Sequence, residues 1–437
     1  MEKSNIYKKR RLAIFKSFED HSISIIVSAD EQIRTNDVTY PYRQNSNFYY
    51  LTGFNNPNAV LLIHKINKNN IVEHFFIKKP NNHDEIWTGK LPTKQYVQKA
   101  YDFTKVDYDE DFLGFLTKYI TYSKVVYHSL SKYSRVNQDL EESIDNIKNK
   151  YRSGLTPPSK FISLDSIIQD YRLIKDKHEI NAIKKSASVS SKVHTYLMKH
   201  CSSANSEKDI QYYLSNQFNL FGGVEAYPSI VASGKNACIL HYTKNQSKLN
   251  DGDLLLVDAA CEIDNYASDI TRTIPINGKF SGPQKDIYKI VLDAQLKAIN
   301  KCVPGHTLVE VHNEAVKYIT KGLIGLNLIK ASLKDALRDD LYKEFFMHGT
   351  GHWLGIDVHD PCRYNDGESP IKLSPGMIFT VEPGVYIRPV KGIPEKYHNI
   401  GIRIEDDVLI TRRGCEVLTH STPKTISDIE ATMASKQ

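Results

Sequence analysis

The stretch VDAACEIDNYASDITRT, residues 257–273, places Asp258 and Asp269 in a segment whose pattern predicts a β-hairpin. The most favourable turn is the four-residue stretch Glu262–Asn265, since Asp and Asn are turn-forming residues. This turn predicts that the two aspartates lie directly opposite each other on one face, with Cβ atoms about 5 Å apart. Like charges so placed reduce stability, so the hairpin needs a cation between them.

A second predicted hairpin repeats this arrangement. Its strands are expected at 376–388 and 399–411, and they carry Glu382 and Glu405 at equal distances from a Gly/Pro-containing loop. These two carboxylates are therefore also expected to face each other. Glu382 follows the apolar run MIFTV, and Asp258 follows LLLV. Because a buried carboxylate without a partner is very costly, we interpret the four acids as metal ligands rather than solvated side chains.

Histidines accompany these carboxylates. The segment FFMHGTGHWLGIDVHD supplies His348, His352 and His359 among glycines that discourage a regular helix. One imidazole with four carboxylates is an oxygen-rich set that suits Mn²⁺ or Mg²⁺, with Zn²⁺ or Co²⁺ as alternatives. Two such cations can activate a bridging water and polarise a carbonyl, which is the chemistry of metal-assisted hydrolysis.

The composition excludes several classes of protein. A chain of 437 residues exceeds one ordinary core, so two domains are expected. No apolar run approaches the roughly 18 residues that cross a bilayer, so we expect no membrane association. The net charge of +6 comes from 57 basic and 51 acidic residues spread along the chain, which does not indicate a nucleic-acid partner. Six scattered cysteines without a CxxC pair predict a reduced, cytoplasmic protein.

The first domain is predicted to be α/β and to span residues 1–171. It opens with a basic segment that we interpret as a first helix, because Glu2, Glu19 and Asp20 argue against the alternative of a transit peptide. Short apolar runs then alternate with helical patterns. Strands are predicted at 23–29, 58–66, 71–77 and 123–130, and helices near 93–101 and 137–150.

The second domain, residues 172–437, has a different pattern. A long helix is predicted after a break at Lys175–His178. A hairpin at 253–276, helices at 282–302 and 307–322, and the second hairpin follow. Two halves, each made of helices and a hairpin, predict an α+β domain with internal pseudo-symmetry.

Several motifs together carry a resemblance to a known family. VDAACEIDNYASDITRT, HGTGHWLGIDVHD, FTVEPGVYI and GIRIEDD, with EAYPSIVASGKNACILHYTKN upstream, resemble the metal-dependent "pita-bread" peptidases. In the first domain, YPYRQNSNFYYLTGFNNPNAVLLI and DEIWTG resemble the N-terminal domain of the aminopeptidase P (Xaa-Pro aminopeptidase) family. The resemblance covers nearly the whole chain. It implies a pita-bread catalytic domain preceded by a domain for oligomerisation and substrate access.

The resemblance also implies a ligand set and a mechanism. It assigns two metal ions, usually Mn²⁺, to five residues: Asp258, Asp269, His352, Glu382 and Glu405. Asp269 and Glu405 would bridge the ions. Glu382 would also act as the general base that generates a metal-bridging hydroxide.

Further residues are implied to contact the substrate. His359 would stabilise the tetrahedral intermediate or transfer a proton, His241 would meet the substrate near its proline, and His348 would line the pocket. Neutral imidazoles can donate to a developing oxyanion without competing for the metal. Trp353 and Trp87 would offer flat apolar surfaces.

The resemblance extends to a supporting network and to a partner subunit. The network would consist of Asp37, Arg152, Tyr386 and Arg403, the last two of which would also bind the substrate. Trp87 would reach the site of a neighbouring subunit, which implies a homo-oligomer, either a tetramer or a dimer. The segment 361–374, PCRYNDGESPIKLS, has no counterpart in the motifs, so its role stays open.

The function implied is the removal of an N-terminal residue that precedes proline. The Xaa-Pro amide lacks an N–H, so a dedicated site is needed for it. A prolidase, which cleaves Xaa-Pro dipeptides, shares the same ligands and is the first alternative. A methionine aminopeptidase also shares them but commonly lacks the large first domain. A non-catalytic peptide-binding module is the alternative from another class.

Overall fold

The structure, a computed structural model, describes residues 2–130 and 134–435. The chain divides into two compact units, Met1–Tyr171 and Arg172–Gln437. Within the described residues, no helix is both long enough and apolar enough to cross a membrane.

The first unit contains helices around a mixed sheet. Its helices are α1 Glu2–Lys16, α2 Ser46–Thr52, α3 Asn82–Thr88, α4 Lys94–Tyr101, α5 Phe112–Ile120, α6 Ser134–Lys148 and α7 Leu164–Leu173, the last of which ends in the second unit. Its strands are β1 Ser22–Val27, β2 Ile33–Thr35, β3 Val38–Thr39, β4 Val60–Asn67, β5 Asn70–Ile77, β6 Lys105–Tyr108, β7 Val125–His128 and β8 Lys160–Ile162. All four predicted strands and both predicted internal helices are present, as is the first helix.

The sheet of the first unit has six strands in the order β6-β5-β4-β1-β7-β8. Strand β1 runs antiparallel to β4 and parallel to β7, and every residue of β1 is buried. Because this central strand is covered on both faces, its two serines are buried together with its four apolar residues. The outermost strands β6 and β8 were not predicted, because KVDY and KFI are short and carry charged residues.

The second unit packs helices against several short ladders. Its helices are α8 Lys177–His200, α9 Glu207–Leu220, α10 Gly282–Ile299, α11 Leu308–Gly325, α12 Leu333–Arg338 and α13 Ile426–Ala434. Its strands are β9 Val224–Glu225, β10 Ile230–Ser233, β11 Leu254–Asp258, β12 Cys261–Ile263, β13 Tyr266–Ala267, β14 Thr271–Pro275, β15 Asn365–Asp366, β16 Ser369–Pro370, β17 Ile378–Val381, β18 Gly384–Ile387, β19 Ile400–Arg403, β20 Asp406–Ile410 and β21 Cys415–Val417.

The start of α8 lies at the predicted break in the chain. Asp176 accepts hydrogen bonds from the backbone N–H groups of His178 and Glu179, and the Glu179 side chain accepts from the N–H of Asp176. This reciprocal capping box satisfies backbone donors that the first turn of a helix leaves without partners. The sequence DKHE therefore determines where the long helix begins.

The first hairpin has a different register from the one predicted. Asp258 pairs with Thr271, and Ile263 pairs with Tyr266, so the turn consists of two residues. These are Asp264 and Asn265, which have φ values of 53° and 63°. Two consecutive left-handed residues form the tight turn that matches strand twist. The prediction that Asp258 lies directly opposite Asp269 is therefore wrong.

The shift of the turn changes which residue lies opposite Asp269, but Asp258 and Asp269 still lie on the same face of the hairpin. In the observed register Asp269 is level with Ala260, two residues beyond Asp258. The two aspartates are consequently diagonal neighbours, since side chains alternate with a period of two along a strand. Their carboxylates still converge, because the Tyr227 hydroxyl contacts both of them.

The second hairpin has the predicted register. Val381 pairs with Asp406, and Gly384 pairs with Arg403, so Glu382 and Glu405 are level between two ladders. Pro383 follows Glu382 and has no N–H to donate, which explains the interruption of the ladder there. The loop joining the strands contains Gly392 with φ of 98°, a conformation that glycine adopts without strain.

The two hairpins lie against each other and share a construction. The N–H of Glu405 donates to the carbonyl of Thr271 at 3.1 Å, and the hydroxyl of Thr273 donates to the carbonyl of Arg403 at 3.0 Å. Each hairpin is divided into two short ladders, and each break carries acidic residues. This repetition is the predicted internal pseudo-symmetry, and it brings four carboxylates to one place.

Candidate metal centre

A cavity of about 430 Å³ opens where the two hairpins meet. Its size suits a small ligand. The residues predicted from the sequence that line it are Asp258, Asp269, Glu382, Glu405, His241, His348, His352, His359 and Arg403. Leu240, Tyr364 and two glycines of the His348–His352 loop complete the wall.

Three side chains in this cavity can reach a single ion. One ligand atom from each of Asp269, His352 and Glu405 lies within 4.8 Å of the other two. The Nε2 atom of His352 is 3.4 Å from Asp269 Oδ2 and 3.7 Å from Glu382 Oε1. These atoms provide an imidazole nitrogen and carboxylate oxygens from both hairpins, a common composition of a metal centre.

The ring of His352 is oriented by its surroundings. Its Nδ1 is 3.1 Å from the carbonyl oxygen of Trp353, and its backbone N–H donates to the Thr380 hydroxyl at 3.1 Å. A carbonyl partner at Nδ1 requires the proton on that nitrogen and leaves Nε2 free to coordinate. The loop therefore presents Nε2 toward the carboxylates.

Tyr227 lies between the two aspartates. Its hydroxyl oxygen is 2.7 Å from Asp258 Oδ1 and 2.5 Å from Asp269 Oδ1. A phenol has one hydrogen to donate, so it cannot satisfy two ionised carboxylates at once. This pair of contacts shows a local deficit of positive charge.

The carboxylates raise one another's pKa values. Burial, together with the charges of Asp269 and Asp258, raises the pKa of Glu382 to about 7 against the opposing effects of His352 and Arg403. Burial and the charges of neighbouring acids also raise the pKa of Glu405 well above its ordinary value. Carboxylates with such pKa values are destabilised in their ionised form, and a cation removes that penalty.

The pKa of His352 is also raised, which favours the charged form of its imidazole. Burial lowers its pKa, but the hydrogen bond and charge of Asp269 and the charge of Glu382 outweigh burial and raise the pKa to about 9. The site therefore attracts positive charge to the position of Nε2. Together with the ligand spacing and the Tyr227 contacts, this shows that the residues present fit divalent cations.

A hydrogen-bonded chain borders the cavity on one side. Arg403 donates to Asp258 Oδ2 at 2.6 Å and to the Tyr386 hydroxyl oxygen at 2.9 Å. That hydroxyl is 2.9 Å from Nε2 of His348, whose Nδ1 is 2.7 Å from the Gly349 carbonyl oxygen. Because Arg403 only donates, the tyrosine hydrogen goes to Nε2 and the His348 proton stays on Nδ1. Burial lowers the pKa of His348 to about 4, so it is neutral.

Comparison with known proteins agrees with this geometry. Metallopeptidase family M24 matches residues 181–412, and the aminopeptidase P N-terminal domain matches residues 7–127. The chain belongs to metallopeptidase family M24.

Curated relatives match this M24 chain along its whole length. It is 37% identical to the Xaa-Pro aminopeptidase of Escherichia coli over 434 residues, covering 98% of this chain and 97% of the relative. It is 38% identical to the Xaa-Pro aminopeptidase of Haemophilus influenzae, with 98% and 96% of the two chains covered. The same two-domain organisation therefore extends through this chain and these relatives.

Solved structures give the same result. A substituted Escherichia coli aminopeptidase P in complex with substrate has a TM-score of 0.96 at 36% identity, covering 99% of this chain and 98% of that chain. A zinc-substituted Escherichia coli aminopeptidase P in complex with product also has a TM-score of 0.96 at 36% identity, with 99% of each chain covered. The second unit therefore has the pita-bread fold of the M24 peptidases, and the aminopeptidase P N-terminal domain precedes it.

Trp353 and Tyr386 are both predicted to contact substrate in this M24 site, but neither lines the cavity. Trp353 is only 1% exposed and packs edge-on against Phe379, with 5.8 Å between ring centroids. Its indole N–H donates to the Arg363 carbonyl at 3.2 Å. The prediction that Trp353 offers a surface to the substrate is wrong, because its ring faces the core while its neighbour His352 faces the cavity.

Other predicted residues lie in the first unit and stay predictions. Trp87, on α3, is 77% exposed. Asp37 and Arg152 are also exposed.

The sequence motifs did not reveal several residues of the site. Tyr227 lies in the recognised stretch EAYPSI, but a single tyrosine has no spacing pattern that assigns it a role. Thr271 donates to Glu405 Oε2 at 2.7 Å. Tyr364 lines the cavity from the segment 361–374, and its ring centroid is 5.7 Å from that of Trp353. Only the tertiary fold brings these residues to the carboxylates.

Proposed function

We propose that this chain is a metal-dependent exopeptidase that hydrolyses the bond between an N-terminal residue and a following proline. The observation that carries this proposal is the convergence of four carboxylates and His352 in one cavity of a chain that matches Xaa-Pro aminopeptidases over its full length. A tertiary Xaa-Pro amide has no N–H, so it requires a site that does not depend on that donor.

Two divalent cations would be held by Asp258, Asp269, His352, Glu382 and Glu405. Mn²⁺ is the ion we propose, because the donor set is mostly oxygen; Zn²⁺ or Co²⁺ would also suit it. When bound, such ions lower the pKa of water and polarise a carbonyl.

Glu382 would accept the proton of the attacking water. Its main chain is held by a hydrogen bond from its N–H to the Thr350 carbonyl at 2.8 Å, and its carboxylate accepts from the Thr380 hydroxyl at 3.4 Å. The same residue would thus be both ligand and base.

Three histidines would act on the substrate. The ring of His359 is 4.3 Å from that of His352, and burial and the His352 charge lower its pKa, so it is neutral and can donate one N–H to a developing oxyanion. His241 lines the cavity and would meet the proline side of the scissile bond. His348 would form a neutral wall, held by Tyr386 and Arg403.

The first domain would provide access and assembly. We place it at residues 1–171, before a catalytic domain at 172–437. Exposed Trp87 would complete the site of a neighbouring subunit, as part of a homotetramer or homodimer, with Asp37 and Arg152 joining Tyr386 and Arg403 in a supporting network. The six cysteines are free, which supports the proposed cytoplasmic location.

A competition assay tests the proposed activity. The Mn²⁺-loaded protein is incubated with Ala-Pro-Ala, Ala-Pro and Met-Ala-Ser together, and the products are followed by mass. Release of alanine from Ala-Pro-Ala, abolished by Glu382→Ala, supports the proposal. Preferred cleavage of Ala-Pro indicates a prolidase, and preferred cleavage of Met-Ala-Ser a methionine aminopeptidase. Bound metal without cleavage of any peptide indicates a peptide-binding module.

A further inference from the structure

The carboxylate of Asp407 lies behind the metal centre and not in its cavity. It is fully buried on β20, and its Oδ1 and Oδ2 atoms are 3.3 and 3.1 Å from the backbone nitrogen of Asp269. Asp407 therefore accepts the N–H of a residue whose own side chain reaches toward His352 at 3.4 Å.

The main chain of Asp269 needs this acceptor. On either side of it, Ser268 donates its N–H to the carbonyl of Cys261 and Ala259 donates to the carbonyl of Ile270. Hydrogen-bonded and non-hydrogen-bonded positions alternate along an antiparallel pair, so the N–H of Asp269 points away from the facing strand. A buried N–H in that position is costly without a partner.

Asp407 is itself held in place. It pairs with Thr380 across the β17–β20 ladder, its N–H donates to the Thr419 hydroxyl at 3.2 Å, and its carbonyl accepts from Leu418 at 2.8 Å. A short central strand fixed on both sides is a rigid support. It can therefore set the position of whatever its side chain contacts.

The neighbouring Asp406 shows the contrast. Its carboxylate accepts hydrogen bonds from Arg272 and Lys424 at 2.7 and 2.6 Å, the pattern of a structural ion pair. In the described part of the chain, the Asp407 carboxylate accepts hydrogen bonds from the N–H of Asp269 instead. An adjacent pair of buried aspartates thus divides into one that binds cationic side chains and one that faces the metal centre.

We propose that Asp407 is a positioning residue: its carboxylate fixes the main chain of Asp269, and so holds the Asp269 ligand atoms at bonding distance from the cation shared with His352 and Glu405. Tyr227 holds the other end of the same residue, through Oδ1. This inference rests on the metal centre of the proposed function and adds a residue to it.

Mn²⁺ binding by isothermal titration calorimetry tests the proposal without any peptide. Asp407→Ala and Asp407→Val both remove the acceptor. Asp407→Val is included as a second variant because valine favours the strand conformation and so helps the protein to stay folded. Both are expected to bind Mn²⁺ about 10-fold to 100-fold more weakly, the usual effect of losing a residue that orients a ligand. Asp407→Asn retains an acceptor oxygen and is expected to stay within about 3-fold of the wild type.

Val408→Ala is the matched control, because this neighbour is equally buried on the same strand but belongs to the apolar core. It should lower the melting temperature and leave Mn²⁺ affinity unchanged. Unchanged affinity in folded Asp407→Ala or Asp407→Val overturns the proposal, and so does an Asp407→Asn variant as weak as these two. If the wild type binds Mn²⁺ but cleaves no Xaa-Pro peptide, the proposed function fails while the calorimetry still decides the role of Asp407.

Discussion

The Nε2 atom of His348 lies 2.9 Å from the hydroxyl oxygen of Tyr386. Because that oxygen also accepts from Arg403, the hydroxyl hydrogen is directed to His348 and fixes one tautomer. The ring nitrogens of His348 are therefore both occupied by protein groups, since Nδ1 faces the carbonyl of Gly349. His348 is thus held as a neutral wall of the cavity and is not available as a proton donor at Nε2.

Tyr386→Phe should disturb this wall and leave the ligands in place. The variant removes the hydrogen bond to His348 and one acceptor of Arg403. We expect kcat/KM for Ala-Pro-Ala to fall about 10-fold, which corresponds to about 1.4 kcal/mol and to the loss of one hydrogen bond. Steady-state kinetics and Mn²⁺ calorimetry measure the two effects separately.

Tyr288→Phe is the control for this prediction. Tyr288 is also buried and donates to the Lys424 carbonyl at 2.9 Å, but it lies outside the cavity. It should change kcat/KM by less than about 2-fold, as expected of a site away from the chemistry. Equal losses in both variants would show that the effect of Tyr386→Phe is only a loss of general stability.

Glu405→Gln should lose metal binding, and without metal it should be more stable than the wild type. The pKa of Glu405 is raised well above its ordinary value of 4.5, so the folded state binds its proton more tightly than the unfolded state does. Such a carboxyl loses its favourable contribution as pH rises from 4.5 through the folded pKa. In EDTA, the variant should therefore gain stability relative to the wild type as pH is raised from 5 to 9.

In the presence of Mn²⁺, the wild type should instead be more stable than Glu405→Gln. At a free concentration of about 100 times Kd, binding stabilises the native state by about 2.7 kcal/mol, a shift of several degrees in melting temperature. The wild type should show this shift and Glu405→Gln should not. Differential scanning fluorimetry with EDTA or Mn²⁺ measures both, and Glu416→Gln, on a half-exposed glutamate, is the control. A full Mn²⁺ shift in Glu405→Gln would exclude Glu405 as a ligand.

Asp360 should contribute stability with the opposite dependence on pH. It is buried between Arg172 and Lys175, and it accepts from Lys175 Nζ at 3.0 Å. Burial raises its pKa, but these two cations outweigh burial and lower the pKa to about 2. A depressed pKa means that the stabilisation is fully present above the ordinary value of 3.8 and is lost as pH falls toward 2.

Asp360→Asn removes a buried counter-ion that Lys175 and Arg172 share, and Arg172 retains Asp357, whose Oδ2 is 2.7 Å away. We expect a loss of about 3 to 5 kcal/mol at pH 7, the usual cost of removing one partner of a buried ion pair. The difference from the wild type should shrink between pH 4 and pH 2, as Asp360 itself becomes protonated. Urea unfolding at several pH values measures this difference. Asp366→Asn, on an exposed pair with Arg363, should show no comparable loss.

The sequence predicted which acidic residues converge better than it predicted how they face one another. Glu382 and Glu405 were placed correctly, because the ladders on both sides of their break keep one register. Asp258 and Asp269 were predicted to lie directly opposite each other but are diagonal neighbours. The reason is that Asp264 and Asn265 both adopt left-handed conformations and shorten the turn. Turn conformation depends on φ values that composition only suggests, whereas apolar runs interrupted by acids are visible directly.

Contacts between distant segments could not be predicted in this way. Tyr227 reaches both aspartates from a loop, and Asp407 reaches the main chain of Asp269 across 138 positions of sequence. Neither residue has a period or a spacing that marks it. Trp353 shows the reverse error, since it lies next to a ligand in the sequence and faces the other way in the structure.

Substitution of Trp353 should change stability and not catalysis, whereas substitution of Trp87 should change catalysis and not stability. Trp353 is buried among Phe379 and Tyr364, so Trp353→Phe should lower the free energy of unfolding by about 1 to 3 kcal/mol through loss of packing and of one hydrogen bond. Its KM for Ala-Pro-Ala should change by less than about 3-fold, because the ring does not line the cavity.

Trp87→Phe is the paired variant, with the same chemical change at a side chain that is 77% exposed. An exposed ring contributes little to folding, so the free energy of unfolding should change by less than about 0.5 kcal/mol. If Trp87 completes a neighbouring subunit's site, KM should rise while the oligomeric state by light scattering stays the same. Urea unfolding and steady-state kinetics on both variants decide the matter: a raised KM in Trp353→Phe without loss of stability would restore Trp353 to the substrate surface.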